Sequence, residues 1–229
     1  WFLTFHKPFY EALKSDGSFV LNIKDRVVNG VRHRYVWQTV ISLSNRGWKC
    51  IDDYIWHKPN PMPGYWPTRF MDGWEYCFHM AKKVKPYIDR DAVKQPIGDW
   101  AETRLEKLSD NDKERHNSSN ESGFGRDLSY WVDKKKVYPP NVITVALVGK
   151  NKGHPAVYPI GLPEFFIKLL SPINGLVVDP FAGSGTTGVA ALSLKRNCVL
   201  IENNQKYYDV CIERILKEVD GAKIKTKNN

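Results

Sequence analysis

The sequence predicts an α/β fold, and three observations carry that prediction. Apolar residues recur at helical spacing in several stretches, and short apolar runs lie between them, so helices and strands alternate along the chain. One short run, 176–179, leads directly into a loop rich in glycine, serine and threonine and then into a helix-compatible stretch. Hydrophobic residues make up 42% of the 229 residues. That content supports a core, and the length fits one α/β domain or a domain with a small lobe.

The first part of the chain predicts helix and strand in turn. Phe2, Phe5, Phe9 and Leu13 recur at helical spacing and predict an amphipathic helix. The elements predicted here are a helix over 1–14, a strand over 18–23, a charged loop at 24–26, a helix from 36 to 44 that Gly47 ends, and strands over 48–56 and 73–81.

Periodicity returns near residue 137. Leu162, Phe165, Phe166 and Leu169 mark one face of a helix, and Pro163 suits its first turn. The elements predicted after it are a strand over 176–179, a helix to about 195, a strand over 198–201, a helix over 208–219 and a disordered tail over 221–229.

A proline-rich loop follows the strand that ends near residue 56. Three prolines within 59–63 restrict the backbone and remove hydrogen-bond donors, so the loop is expected to be stiff. Aromatic side chains that can stack on bases and cations that can bind phosphates surround it. Trp56, Lys58 and Arg69 are aromatic and basic residues of this kind, and they favour contact with nucleic acid. A plain structural loop is the alternative.

Residues 84–136 lack the periodicity of their surroundings. The stretch 107–122 is rich in Asn, Ser, Asp, Lys and Glu, which predicts a weakly ordered loop. Aromatic and basic residues flank it, and among them Lys134 and Lys135 are predicted DNA contacts. We interpret 84–136 as an insertion that contacts a polyanion. The alternative is that its charges form a solvated face.

The overall charge favours a polyanionic partner. The formal net charge is +9, and nucleic acid is the first candidate. Cys50, Cys77, Cys198 and Cys211 are scattered without a CxxC pair, which argues against a metal site or a disulfide framework and favours an intracellular setting. No apolar run is long enough to span a bilayer, so no membrane association is predicted.

The glycine loop after residue 179 is the strongest local signal. Its glycines allow a sharp bend and close approach to a ligand, and N–H groups at the next helix start can hold an anion. Asp179 and Glu202 end neighbouring strands, and a carboxylate about 20 residues after such a loop suits ribose hydroxyls. These features favour a nucleoside-containing cofactor. The loop does not match GxxxxGK[ST] or GxGxxG, which excludes an ATP P-loop and weakens a dinucleotide assignment. A turn that binds nothing is the alternative.

Several motifs in one fixed order resemble amino-group DNA methyltransferases. Residues 179–187 resemble the S-adenosylmethionine motif of that family, and Glu202 matches the acidic residue that binds the cofactor's ribose. Residues 154–159, His-Pro-Ala-Val-Tyr-Pro, resemble the motif that precedes the cofactor loop, and 56–63 resemble the target-base loop. The resemblance implies that the target base or DNA contacts Trp56, Lys58, Pro59, Asn60, Pro61 and Arg69. The resemblance covers most of the chain except about 84–136, where the family has its variable target-recognition region.

The resemblance implies a fold and a cofactor. The expected fold is a Rossmann-like methyltransferase sheet, mostly parallel with helices on both faces, plus an irregular target-recognition insertion. The implied cofactor is S-adenosyl-L-methionine. The residues expected to bind it are Asp179, Pro180, Phe181, Ala182, Gly183, Ser184, Gly185, Thr186, Thr187, Glu202, Asn203, His154 and Pro155.

The motif order resembles the permuted arrangement called class β. It implies a target-base and catalytic half at 1–83, a target-recognition region at 84–136 and a cofactor-binding half at 137–220. Double-stranded DNA is the implied partner, together with a cognate restriction endonuclease of the same restriction–modification system. The implied location is the cytoplasm of a bacterial, archaeal or phage-infected cell. A base must leave the duplex before such an enzyme can reach its amino group.

The family's catalytic tetrapeptide, Ser/Asp-Pro-Pro-Tyr/Trp or a near variant, does not occur in the chain. We expect it upstream of residue 1, so no catalytic residue is named. An alternative of another class is a catalytically inactive DNA-binding module that keeps this fold. An unrelated nucleotide-dependent oxidoreductase fits the sheet but not the proline-rich loop.

The target base is open to two interpretations. Residues 154–159 and 162–166 look closer to cytosine-N4 enzymes, the PvuII-like modification enzymes, than to adenine-N6 enzymes, which more often carry His-Pro-Thr-Gln-Lys-Pro. We therefore favour cytosine N4, with adenine N6 as the second choice.

Overall fold

The computed structural model describes residues 1–64, 66–98, 135–148 and 158–227. The predicted contacts Lys134, His154 and Pro155 lie outside these residues. The chain divides into two compact units, 1–92 with 140–229, and 93–139. The first unit carries every element that positions the glycine loop and the proline-rich loop.

Five α-helices and ten strands are present in the described residues. The helices are α1 (His6–Ala12), α2 (Tyr35–Ser44), α3 (Gly161–Leu170), α4 (Thr186–Ser193) and α5 (Gln205–Glu218). The strands are β1 (Ser18–Ile23), β2 (Val27–Val28), β3 (Val31–Arg32), β4 (Lys49–His57), β5 (Trp74–Ala81), β6 (Gln95–Pro96), β7 (Lys136–Val137), β8 (Val142–Thr144), β9 (Leu176–Asp179) and β10 (Asn197–Leu200).

Strands β1, β5, β4 and β8 form a four-stranded sheet in that order. β5 runs antiparallel to both of its neighbours, while β4 and β8 are parallel. The α/β class is confirmed, but a mostly parallel arrangement is wrong for this sheet. The physical reason is that β4 joins β5 through a loop without a crossover helix, and such a connection makes neighbouring strands antiparallel.

The direction of these strands brings three loops together. Because β1 and β4 both oppose β5, and β8 follows β4, the carboxyl ends of β1, β4 and β8 lie at one edge of the sheet. The segments that leave this edge are 24–34, 58–73 and 145–148. We call it the carboxyl edge.

The core of this part of the unit lies between the sheet and α2. Val36, Val40 and Leu43 on one face of α2 are buried against strand residues such as Phe78 and Met80. Their spacing of three and four residues is the helical period that the sequence predicted. Burial of each such side chain contributes roughly 1.5–3 kcal/mol.

Strands β9 and β10 form a separate parallel pair that packs against α3 and α4. Ile167 of α3 and Ala190 and Ala191 of α4 are buried on one face of this pair. On the opposite face Leu176 and Val178 are each about half exposed. Within the described residues this pair is therefore covered on one face.

Smaller differences from the sequence predictions have local causes. The predicted helix over 1–14 is a 3₁₀ turn at Phe2–Phe5 followed by α1, which ends before the turn at 15–17. The predicted charged loop at 24–26 is followed by the unpredicted β2–β3 hairpin, in which Asn29 and Gly30 both have positive φ. That conformation matches a two-residue hairpin turn.

The region predicted as an insertion is only partly described. Its β6 pairs with β7 antiparallel, and both belong to the unit 93–139. Residues before 93 belong to the first unit, where the Tyr87 amide donates to the Asp16 carbonyl at 2.8 Å. No helix in the described part of the chain has the length and apolar character needed to cross a membrane.

Candidate functional site

Asp179, the last residue of β9, organises the glycine loop. One carboxylate oxygen accepts the Phe181 amide at 3.0 Å, and the other accepts the hydroxyl groups of Thr187 and Tyr158. The carboxylate therefore ties the strand end, the loop and the first turn of α4 together. All of these bonds lie within the protein, and together they fix the shape of the loop.

Tyr158, which precedes α3, completes the hydrogen-bond cluster around Asp179. Its hydroxyl lies within hydrogen-bond distance of both Asp179 and Thr187. Burial raises the pKa of Tyr158 far above its ordinary value, and the nearby charge of Asp179 adds to that effect. The phenol therefore remains a proton donor to the carboxylate at every physiological pH.

Gly185 caps the start of α4 in a left-handed conformation, with φ of +81°. A Cβ atom at this position would lie 2.6 Å from the sulfur of Cys211 on α5. Both observations require glycine, because the backbone angle disfavours any side chain and α5 occupies the space. The loop therefore packs directly against α5.

Arg214 of α5 holds the loop from the same side. Its guanidinium donates to the Thr186 hydroxyl at 2.8 Å and to the Ser184 hydroxyl at 3.5 Å, and its Nε donates to Glu218 at 2.9 Å. Ser184 and Thr186 are both buried. Their hydroxyl groups therefore support the loop from behind.

Glu202 follows β10 and faces the same loop. One carboxylate oxygen accepts the Gly183 amide and the other accepts the Asn204 amide, each at 2.8 Å. Each oxygen of an ionised carboxylate has two lone-pair sites, so both can still accept a hydroxyl. The next residue, Asn203, is exposed beside it.

The remaining loop residues differ in accessibility. Ala182 is buried, with its amide bonded to the Ile201 carbonyl at 3.0 Å, and Pro180 is partly buried. Phe181 is 47% exposed and contacts the rings of Trp1, Phe5 and Phe9, with centroids 5.6–6.2 Å apart. The aromatic contact joins the N-terminal elements to the glycine loop.

These residues fit a nucleoside-containing cofactor. The loop bends through two left-handed glycines, Gly183 and Gly185, in front of the α4 N-terminus. Glu202 adds acceptor capacity for vicinal hydroxyls at the neighbouring strand end. A rigid loop, a helix N-terminus and a carboxylate are the groups that such a ligand needs.

A family model described as DNA methylase, of the N6/N4 group, matches residues 1–213. The chain belongs to this family of DNA methyltransferases. The expected enzyme class is therefore confirmed, and S-adenosylmethionine is its cofactor.

Two curated relatives of this methyltransferase show the extent of the similarity. The type II methyltransferase M.PvuII of Proteus hauseri is 31% identical over 94% of this chain and 70% of the relative. The type II methyltransferase M.SmaI of Serratia marcescens is 32% identical over 79% of this chain and 51% of the relative. The chain thus spans about half the length of the second relative.

Solved structures give the same result for the fold. The PvuII DNA methyltransferase, described as cytosine-N4-specific, superposes with a TM-score of 0.71 at 25% identity, over 97% of this chain and 71% of that one. A complex of M1.HpyAVI with S-adenosylmethionine superposes with a TM-score of 0.60 at 22% identity, over 93% of this chain and 82% of that one. At that lower identity the match shows the fold alone.

The proline-rich loop covers two of the residues that the sequence predicts as DNA contacts. Trp56 is buried, and its indole N–H donates to the Val145 carbonyl at 2.9 Å. Lys58 is buried beside the Trp56 ring and pairs with Glu75. A stacking platform and a phosphate contact both need exposure. In this conformation both side chains are buried and support the loop from beneath, so their contact with DNA stays a prediction.

The other predicted contacts are at the surface. Asn60 forms two hydrogen bonds with the backbone of Leu147, at 2.7 and 3.1 Å, which tie the loop to the segment after β8. Pro59 is exposed and Pro61 partly exposed. Arg69 lies over the ring of Trp66, with 4.3 Å to its centroid. Lys135, in the other unit, is also exposed.

The sequence predictions did not include two residues that support the glycine loop, Tyr158 and Arg214. Tyr158 lies in a motif that was recognised, but its bond to Asp179 spans 21 residues. Arg214 lies 28 residues from Thr186, and its one sequence signal is its position beside the apolar stripe of α5. Neither contact leaves a local pattern in the chain.

Proposed function

We propose that this DNA methyltransferase modifies the N4 amino group of cytosine within a specific duplex sequence. The observation that carries the choice of base is the similarity to PvuII DNA methyltransferase over nearly the whole chain, since that relative is described as cytosine-N4-specific. The motif at 154–159, with Ala-Val-Tyr in place of Thr-Gln-Lys, agrees with it.

We assign the cofactor-binding roles as follows. Glu202 accepts the ribose hydroxyls, and the α4 N-terminus holds the anionic end of the cofactor. Asp179, Tyr158 and Arg214 keep the loop in shape. When bound, the cofactor supplies an electrophilic methyl group on a positively charged sulfur. The chain's own residues bind and orient, and orientation is a large part of catalysis in such transfers.

The remaining assignments are proposals of the same kind. Residues 1–83 receive the target base, 84–136 read the sequence with Lys134 and Lys135 on phosphates, and 137–220 hold the cofactor with His154 and Pro155 beside it. The enzyme acts in the cytoplasm with a cognate restriction endonuclease. The formal net charge of +9 supports contact with the phosphate backbone.

The decisive experiment is incubation of the full-length protein with unmodified DNA and methyl-labelled S-adenosylmethionine, followed by nucleoside analysis. We expect label in N4-methylcytosine. Label in N6-methyladenine would keep the family and overturn the base. Binding of DNA and cofactor without transfer would support the inactive module instead.

A further inference from the structure

The loop between β4 and β5 displays one aromatic ring almost completely to solvent. Phe70 is 94% exposed, the highest value among the large hydrophobic residues described. Met71 and Trp66 in the same loop are 48% and 37% exposed. A single exposed ring needs no explanation, but this one stands on a loop that the structure holds firmly at both ends.

The anchor next to Phe70 is the Asp72 cluster, which we define as Asp72, Lys24, Arg32 and Arg69. The carboxylate of Asp72 lies 2.6 Å from Arg32, 3.3 Å from Lys24 and 3.4 Å from Arg69. Burial alone would raise the pKa of Asp72, but the hydrogen bond from Arg32 and the charge of Lys24 lower it, so the carboxylate stays ionised. The loop is thereby tied to the β2–β3 hairpin region.

Further contacts stiffen the ends of the loop. The Lys58 amide donates to the Gly73 carbonyl at 2.7 Å, which closes the base of the loop. The Arg69 guanidinium stacks on Trp66 at 4.3 Å. Phe70 therefore projects from a segment with little freedom to fold the ring away.

The charge around Phe70 suits DNA. The Asp72 cluster contains three cations and one anion, a surplus of two positive charges that remain partly exposed. Arg26 and His33 line a shallow depression beside the same hairpin. All these residues lie in the segments 24–34 and 58–73 at the carboxyl edge of the sheet. Open α/β sheets bind their ligands at this edge.

We propose that Phe70 is a wedge that enters the base stack of the duplex beside the target nucleotide, while the cations of the Asp72 cluster bind the flanking phosphates. The proposal rests on the function proposed above, because removal of a base from the stack is what creates a need for a wedge. Apolar side chains that enter a base step offset the cost of unstacking.

The test compares paired and mispaired DNA with the full-length protein. The substrates are a duplex that the wild type modifies and the same duplex with a mismatch at the modified base, which is easier to unstack. We expect Phe70→Ala to lower kcat/KM on paired DNA by about tenfold or more, the value of one base–aromatic stack. On mispaired DNA the loss should fall to about threefold or less. Phe70→Trp should retain activity on both.

The matched control is Ile173→Ala, which removes a side chain that is 63% exposed at the amino end of β9. It should leave both substrates unchanged. Equal losses on paired and mispaired DNA for Phe70→Ala, or no loss at all, would overturn the wedge.

The two proposals fail separately. If the wild type transfers no methyl group, the proposed function fails. In that case DNA binding tests Phe70. The dissociation constants of wild type and Phe70→Ala are measured for a random-sequence duplex and for the same duplex with a central mismatch, and the ratio of the two constants is compared between the proteins. A ratio that Phe70→Ala leaves unchanged contradicts the wedge.

Discussion

At the scale of single residues, the site depends on side chains that shape a loop. The sequence predicts that Asp179 contacts the cofactor. In the structure its carboxylate accepts hydrogen bonds from Phe181, Thr187 and Tyr158. Replacement of Asp179 would therefore free the Phe181 amide of the loop and would also remove any direct contact with the cofactor. Tyr158 tests the effect on loop shape, because its hydroxyl bonds to the carboxylate oxygen that does not accept the Phe181 amide.

We expect Tyr158→Phe to weaken S-adenosylmethionine binding about five- to tenfold and to lower the free energy of unfolding by about 1–2 kcal/mol. A hydrogen bond to a charged group typically contributes about 1.5–3 kcal/mol, and Thr187 retains part of it. Calorimetry with the full-length protein measures both quantities.

The control for this substitution is Tyr208→Phe. The Tyr208 hydroxyl is buried without a hydrogen-bond partner in the described part of the chain, so its removal should cost nothing. Equal effects of the two substitutions would show that Tyr158 has no special role in the loop.

At the scale of secondary-structure elements, α5 acts as the support of the glycine loop. Cys211 fills the space beneath Gly185, and Arg214, one turn further along, donates to Thr186. The helix start at Asn204 is also fixed, since the Asn204 side chain accepts the amides of Lys206 and Tyr207. The loop, α4 and α5 are therefore packed as one unit.

Gly185→Ala tests this packing. A left-handed alanine costs about 1 kcal/mol, and the contact with Cys211 adds about 1–3 kcal/mol of overpacking. Gly30→Ala isolates the first effect, because Gly30 has a similar φ of +77° and no atom within 4 Å of its added Cβ. Denaturant unfolding should show the larger loss for Gly185→Ala.

A second substitution sharpens the comparison. Adding Cys211→Ala to Gly185→Ala removes the clashing sulfur, so part of the lost stability should return. Additive losses in the double variant would contradict direct contact between loop and helix.

At the scale of the whole molecule, stability depends on a central strand that carries a buried histidine. His79 of β5 is completely buried, and its Nε2 lies 2.8 Å from the Ser18 hydroxyl of β1. Burial lowers the pKa of His79 to about 4, although the charge of Asp52 opposes the shift. The ring is therefore neutral in the folded protein at neutral pH.

We expect acid to unfold the protein partly through His79. The unfolded chain takes up a proton near pH 6.5 and the folded chain does so only near 4, so stability is complete above pH 6.5 and falls as the pH drops toward 4. The loss is about 2 kcal/mol between pH 7.5 and pH 5. Urea unfolding at these two pH values measures it.

His79→Gln is the matched variant, because glutamine keeps a polar group near Ser18 without a titration in this range. Its loss between pH 7.5 and pH 5 should be smaller by about 2 kcal/mol. The same pH dependence in both proteins would assign the acid sensitivity to other groups.

The chain by itself determined the α/β class, the glycine loop and the identity of the family. Strands 18–23 and 176–179 were predicted with the bounds that the structure has. These features follow from backbone propensity, periodicity and motif order, which are local in the sequence. The same reasoning predicted that Asp179 and Glu202 lie at the ends of two neighbouring strands, which are β9 and β10.

Only the tertiary structure decided which side chains face outward and what joins the loops. Trp56 and Lys58 lie in a motif that points to DNA, yet packing against Val145 and Glu75 buries them. The contact between Asn60 and Leu147 spans 87 residues, and the bond between Arg32 and Asp72 spans 40. Such contacts depend on how the strands pair, and no local pattern records them. The supports of the glycine loop and the exposed ring of Phe70 therefore emerge only from the folded chain.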